Sequence, residues 1–239
     1  MKREAQGILL FVLGGAVLHA SLTGLYLRYV RAGLRPFLLI AGIVLIIAAV
    51  ATLWYELKPG PKKAEPADDG HGHAHREPRI AWLLLLPLLA LIVVAPPALG
   101  SYAADRTGTA LQRPFGFPTL PADGPLDLTI PDYATRAVFD GGRGLGGRPI
   151  KITGFIGINR DGTPYVSRMV LNCCAADALP IKVALAGPNV LTLRRDAWFD
   201  ITGTYSPRQL KDPVNGRAIP FFTVTRATPI PAPADEYTE

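Results

Sequence analysis

Pro149-Ile-Lys-Ile-Thr-Gly-Phe-Ile-Gly-Ile158 opens the part of the chain where apolar side chains recur every second residue, the period of a strand rather than a helix. Four further segments continue it: Pro164 to Asn172, Pro180 to Ala186, Ala197 to Tyr205 and Ala218 to Thr228. The separators Asn159-Arg-Asp-Gly162, Gly187-Pro188-Asn189 and Asp212-Pro-Val-Asn-Gly216 have turn chemistry. Five short strands cannot bury both faces of a flat sheet, and closure removes the exposed edges. The expected fold is therefore a small all-β domain, an OB-like five-stranded barrel over residues 129–230, followed by a tail at 231–239. The Gly187 to Asp196 connection, where such a barrel often carries a helix, shows little helical pattern.

Moving upstream, Thr129 is placed to cap a short leading helix with Pro131 in its first turn. Tyr133, Ala137 and Val138 give it an apolar face, and Gly141-Gly142 ends it. Before that, Arg113-Pro-Phe-Gly-Phe-Pro-Thr-Leu-Pro-Ala-Asp-Gly-Pro125 reads as part of an extended Pro-rich spacer over 100–128 that lifts the barrel from a bilayer.

Residues 1–99 are of another kind. Gly7 to Leu27, Phe37 to Leu57 and Ile80 to Leu99 are apolar runs of about the 20 residues that a helix needs to cross hydrocarbon, where only a helix satisfies its own backbone. Three transmembrane helices are predicted. A signal peptide is the alternative for the first run, because Lys2 and Arg3 precede it and His19-Ala20-Ser21 loosely resembles a cleavage site, but the run continues past that point to Leu27. With the N-terminus cytoplasmic, Lys2, Arg3, Lys58, Lys62, Lys63, Arg76 and Arg79 lie inside, against Arg28, Arg31, Arg35, Arg106 and Arg113 outside. This balance favours an extracytoplasmic C-terminal domain on a multi-pass protein of the bacterial plasma membrane.

Charge excludes a nucleic-acid surface. The net charge of +6 divides into +4 over residues 1–99, ten basic against six acidic, and +2 over 100–239, fifteen against thirteen. Basic residues flank the apolar runs, where they meet lipid headgroups, and few aromatics are available as a stacking platform. The soluble part contains no His and no Gly-rich phosphate loop after a strand, so no enzymatic constellation is expected.

Within the spans, Gly7, Gly14, Gly15, Ala16, Ala20, Ser21 and Gly24 leave a small face on the first helix, suited either to packing among this chain's own helices or to docking on a separate multi-span partner. His19 is the one strongly polar side chain there. It is read either as satisfied by a neighbouring helix or as having a transport or metal role. With so few polar side chains, three helices cannot line an aqueous path alone, so a carrier made of this chain by itself is not expected.

Two clusters carry metal-ligand chemistry. The loop 58–79 is rich in Pro and Gly, and its Asp68-Asp69-Gly70-His71-Gly72-His73-Ala74-His75 alternates imidazoles with small residues. His-rich tracts bind borderline metals such as zinc, and the alternative reading is a solvated linker. The only cysteines are adjacent, Cys173-Cys174, with Asp177 close by. In a regular strand their thiols point to opposite faces, so they share an ion only if the strand ends or bulges there. Buried packing at a barrel-closing turn, a soft-metal site with Asp177, and a redox pair or vicinal disulfide are the three readings. If the third run crosses the bilayer, His71, His73 and His75 lie on the other side from Cys173 and Cys174, and the two clusters are separate stations.

Leu27-Arg-Tyr-Val-Arg-Ala-Gly-Leu-Arg-Pro36, the histidine loop, Ala95-Pro-Pro-Ala-Leu-Gly-Ser-Tyr102, Thr153-Gly-Phe155, Cys173-Cys-Ala-Ala-Asp-Ala178 and Asp200-Ile-Thr-Gly-Thr204 together resemble the YcgQ-like family of bacterial predicted permease subunits. The resemblance implies an integral membrane accessory subunit accompanying a multi-span permease, with no enzymatic activity and an indirect link to zinc supply. It carries over Cys173, Cys174 and Asp177 as motif positions only. The alternative is a stand-alone metal-binding or thiol-redox protein of the envelope.

Overall fold

The computed structural model describes residues 3–57, 97–188 and 193–238, together with Leu86, Ala90, Val94 and Val190. The histidine loop and nearly all of the third apolar run lie outside the described residues. The chain divides into two compact units. One comprises Met1–Tyr26 and Gly33–Pro97, the other Leu27–Ala32 and Ala98–Glu239.

In the first unit, helices α1 (Arg3–Thr23) and α2 (Arg35–Leu57) pack against each other. Both are long and apolar enough to cross a membrane, over Ala5–Thr23 and Ala32–Tyr55, and large side chains such as Phe11, Phe37, Ile47 and Trp54 face outward. Their contact is built on small residues. A Cβ at Gly14 would lie 3.1 Å from the Gly42 carbonyl oxygen, and one at Gly42 would lie 2.7 Å from Leu18. Part of the small face of α1 is thus used on the chain's own second helix, as close backbone approach requires. Ser21 and Thr23 return their hydroxyls to the carbonyls of Val17 and His19, at 2.7 and 2.8 Å, while His19 itself is exposed.

The second unit is a five-stranded closed β-barrel. Its strands are β2 (Ile150–Ile158), β3 (Pro164–Val170), β4 (Leu179–Ala186), β5 (Trp198–Lys211) and β6 (Ala218–Ile230). The order β2-β5-β6-β4-β3 is closed by a β2–β3 pairing, and β4–β6 is its one parallel junction. A two-residue β1 (Leu126–Asp127) runs parallel to β2, and β7 (Tyr237–Thr238) parallel to β3. Two strands outlast their expected ends. At Ser206-Pro207-Arg208 the missing proline N–H is absorbed by a register shift between Tyr205 and Gln209, and β5 then continues to Lys211. Likewise β6 runs past Pro229, which pairs with Phe199. Gly203 sits at a second register shift where a Cβ would stand 2.0 Å from the Thr223 carbonyl oxygen, so no other residue fits.

Alternation along β2 supplies two cores. Ile150, Ile152 and Ile156 join Val166, Val183, Ile201, Phe222 and Val224 in the main one, whereas Phe155 joins Tyr165, Met169 and Trp198 in the other. The leading helix α4 (Ile130–Phe139) begins where Thr129 accepts the Asp132 N–H at 3.2 Å. It packs Ile130, Tyr133 and Ala137 into the main core, and the Tyr133 hydroxyl donates to the Phe221 carbonyl at 2.5 Å. No α-helix occurs among the described residues of the Gly187 to Asp196 connection, and Leu193 joins the core.

The spacer expected over 100–128 is a structural part of this unit. Leu111, Leu126 and Leu128 are buried in the main core, each contributing roughly 1.5–3 kcal/mol, and they anchor the two ends of the Pro-rich stretch, whose Phe115 is exposed. Helix α3 (Ser101–Arg106) puts Ala104 into the second core. The tail is also tied down: the Tyr237 hydroxyl accepts the Leu99 N–H and donates to the Arg28 carbonyl, both at 3.1 Å.

Between these layers lies a fully buried ion pair, Lys182 Nζ to Asp212 Oδ2 at 3.0 Å. Asp212 also accepts the N–H groups of Thr109 at 2.9 Å and Val214 at 2.8 Å. Burial pushes the Asp212 carboxyl up, but those N–H groups and the ammonium outweigh it and hold its pKa below the ordinary value. Its contribution to stability is therefore complete above the unfolded carboxylate range and is lost as pH falls through the lower folded value. Replacing only Lys182 by Met strands a buried carboxylate, and we expect a loss of about 3–5 kcal/mol in chemical denaturation. The double change Lys182→Met with Asp212→Leu should cost less than the single one, and a larger loss would show that the pair is itself strongly stabilising.

Candidate metal centre

Strand β3 stops at Val170, two residues short of its expected end, and the chain then bends through Asn172 to Cys174 before a single 3-10 turn, Ala175–Asp177. This break removes the alternation that would have separated the thiols. The Sγ atoms of Cys173 and Cys174 and a carboxylate oxygen of Asp177 all lie within 4.8 Å of one another. Cys173 is exposed and Cys174 half-buried, and both are free thiols. His71, His73 and His75 lie outside the described residues.

Asp177 is held by the turn it closes. Its Oδ1 accepts the Asn172 N–H at 3.0 Å, and its Oδ2 accepts the Cys173 N–H at 2.9 Å and the Cys173 S–H at 3.0 Å. The hydrogen bond from Cys173 is the main reason the Asp177 carboxyl falls below its ordinary pKa. Reciprocally, that carboxylate and then the Cys174 thiol stabilise the protonated form of Cys173 and push it up to about 11. A proton thus bridges sulfur and carboxylate where a cation would otherwise sit. Such a thiol is a poor nucleophile at neutral pH, which weighs against the redox reading.

Sequence reasoning did not anticipate what braces this turn. Leu27–Ala32, which joins the two apolar helices, belongs to the barrel unit. Val30 forms an antiparallel bridge with Cys174, Ala175 donates its N–H to the Tyr29 carbonyl at 2.7 Å, and Arg31 donates to the Cys173 carbonyl at 3.2 Å. The segment's lack of turn residues between Leu27 and Arg31 was the available signal. Two other motif stretches also meet, where Thr153 Oγ1 donates to Asp200 Oδ1 at 2.6 Å across the β2–β5 pairing.

Two thiols and a carboxylate form a sulfur-rich donor set suited to zinc or a softer cation. Three protein donors leave a fourth coordination position for water or an incoming ligand. A pair of apolar helices with a closed barrel bearing a thiol-carboxylate turn is the class of protein that fold and site define. Residues 5–110 match the DUF1980 N-terminal domain and residues 143–238 the DUF1980 C-terminal domain. Both domains are present in order, consistent with a member of the DUF1980 family. No curated protein and no solved structure matches the chain.

The bridging proton gives a direct test. Alkylation of Cys173 by iodoacetamide, followed by mass spectrometry across pH, should reach its midpoint near 11. Asp177→Asn should move that midpoint down towards the ordinary thiol range of about 8.5; an unmoved midpoint would contradict the hydrogen-bond cause.

Proposed function

We propose that this chain is an accessory subunit of a bacterial membrane transport system, a YcgQ-like permease subunit that receives and passes on a thiophilic cation, zinc in the first instance. The observation that carries the reading is the convergence of Cys173, Cys174 and Asp177 within 4.8 Å on an accessible turn. These residues would hold the ion, and the bound cation would offer its open position to a donor or acceptor. Because Cys173 must lose a proton to bind, metal affinity rises with pH. Binding opposed by a proton suits release to an acceptor. His71, His73 and His75 are proposed as a second station.

The barrel's strand order supports an OB-like assignment. Three spans are supported by chain connectivity. Leu27–Ala32 and the chain from Ala98 onward belong to one compact unit, so if α2 crosses a bilayer, the chain must cross back between residues 58 and 97. The apolar run from Ile80 supplies that return, and the balance of flanking basic residues favours a cytoplasmic N-terminus.

Full-length protein in neutral detergent, dialysed against zinc and analysed for bound metal, should hold one ion less when Cys173 and Cys174 are both replaced by Ser, with the remainder assigned to the histidine loop. Unchanged stoichiometry would remove the cysteines from the function. Mild-detergent purification should also recover a multi-span membrane protein in complex. Retained zinc without such a partner would favour a stand-alone envelope metal protein.

A further inference from the structure

A second site lies at the other end of β3, where the β2–β3 turn approaches the β5–β6 turn and helix α3. A cleft of about 430 Å³ is lined there by Arg106, Asn159, Arg160, Arg195, Asp105 and Pro213, among others. It is separated from Cys173 by the seven-residue length of β3, about 20 Å of extended chain.

The charges in this cleft do not cancel. Among the described residues Asp105 is the one carboxylate in the lining, and it is already committed: Tyr165 donates its hydroxyl to Oδ1 at 2.5 Å, and Arg195 pairs with Oδ2. Arg195 also donates through Nε to Ser101 at 2.9 Å, which fixes its plane and leaves further N–H groups, since a guanidinium has five. Arg106 lies over the Tyr102 ring at 3.7 Å, a stacking contact that orients the fork without using its donors. Arg160 projects from the hairpin turn Asn159-Arg160-Asp161-Gly162 and is exposed. Beside it, Asn159 Nδ2 is buried with no hydrogen-bond partner. An unpartnered buried amide is unfavourable, and Asn159 is one of the residues that line the cleft.

The geometry points to a binding site for a tetrahedral oxyanion, a phosphate group, held by Arg106, Arg160, Arg195 and the Asn159 amide. A planar carboxylate offers two oxygens in one plane, whereas these donors come from three separate chain segments, which a group with oxygens in several directions satisfies better. The volume exceeds that of bare phosphate and leaves room for an organic substituent. An oligonucleotide fits poorly, because Tyr102, the ring beside the cleft, already has Arg106 over it. The phosphate can belong to a soluble ester or to a lipid headgroup, two sources with one recognition chemistry.

Calorimetric titration of the full-length protein in neutral detergent with sodium phosphate, and then with glycerol 1-phosphate, should show binding in which sulfate competes and acetate does not. Arg160→Ala and Arg106→Ala should each weaken it roughly tenfold, the loss of one charge-assisted contact. Asn159→Asp, which sets a carboxylate in place of the amide, should abolish it. Thermal denaturation of each variant close to that of the parent keeps misfolding from counting as support. Repeating the titration in nanodiscs separates the sources. Loss of phosphate binding when phosphatidylglycerol replaces phosphatidylcholine identifies a headgroup ligand, and equal binding in both identifies a soluble one. Absence of phosphate binding by the parent protein, or binding indifferent to all three substitutions, would overturn the site.

Discussion

The buried contact between Lys182 and Asp212 is the constraint on which the arrangement of the barrel unit turns. A charged ammonium on the outer face of β4 cannot remain in an apolar layer unless a carboxylate reaches it and the carboxylate's other lone pairs are filled. Asp212 meets the first demand from the β5–β6 turn, and the N–H groups of Thr109 and Val214 meet the second. Thr109 does so because the chain from Ala98 to Leu111 lies across β2, β3 and β4. That path brings Ala104 against Tyr165 and Met169 and creates the second core.

Both proposed sites are positioned by that covering layer. Helix α3 carries Asp105 and Arg106 to the turn between β2 and β3, where they meet Asn159 and Arg160. At the opposite end of β3, the Tyr237 hydroxyl joins Leu99 to Arg28. This tie holds Leu27–Ala32 beside the cysteine turn. The candidate donors Cys173, Cys174 and Asp177 are therefore braced by Leu27–Ala32, through Val30 and Tyr29.

Local chemistry made much of this legible. Thr129, Pro131 and Gly141-Gly142 marked the leading helix because capping and termination are decided by a few neighbouring atoms. Asp-Gly and Asn-Gly turns marked the strand boundaries for the same reason. The continuation of β5 past its expected end at Tyr205 was not legible, since the bulge that absorbs Pro207 exists only once β6 is paired alongside. The cysteine pair and Asp177 were recognisable as candidates. Their convergence was open, conditional on the strand ending or bulging there, and it took the bend after Val170 and the 3-10 turn Ala175–Asp177 to bring the three donors within 4.8 Å. The phosphate cleft left no trace in the sequence: its donors come from residues 106, 159, 160 and 195, and no local pattern relates them.

By itself, then, the sequence predicted three apolar helices, of which the described residues show two, and determined a five-stranded barrel. Hydrophobic period and turn residues act over a few positions and need no knowledge of the rest of the chain. Only the tertiary structure decided that the chain from Ala98 to Leu111, expected as part of a spacer, is a covering layer, that the tail ends in the two-residue strand β7, and that Leu27–Ala32 belongs with the barrel. Each of those outcomes rests on burying side chains and filling hydrogen-bond positions supplied by residues up to 209 places distant, as Tyr237 and Arg28 are.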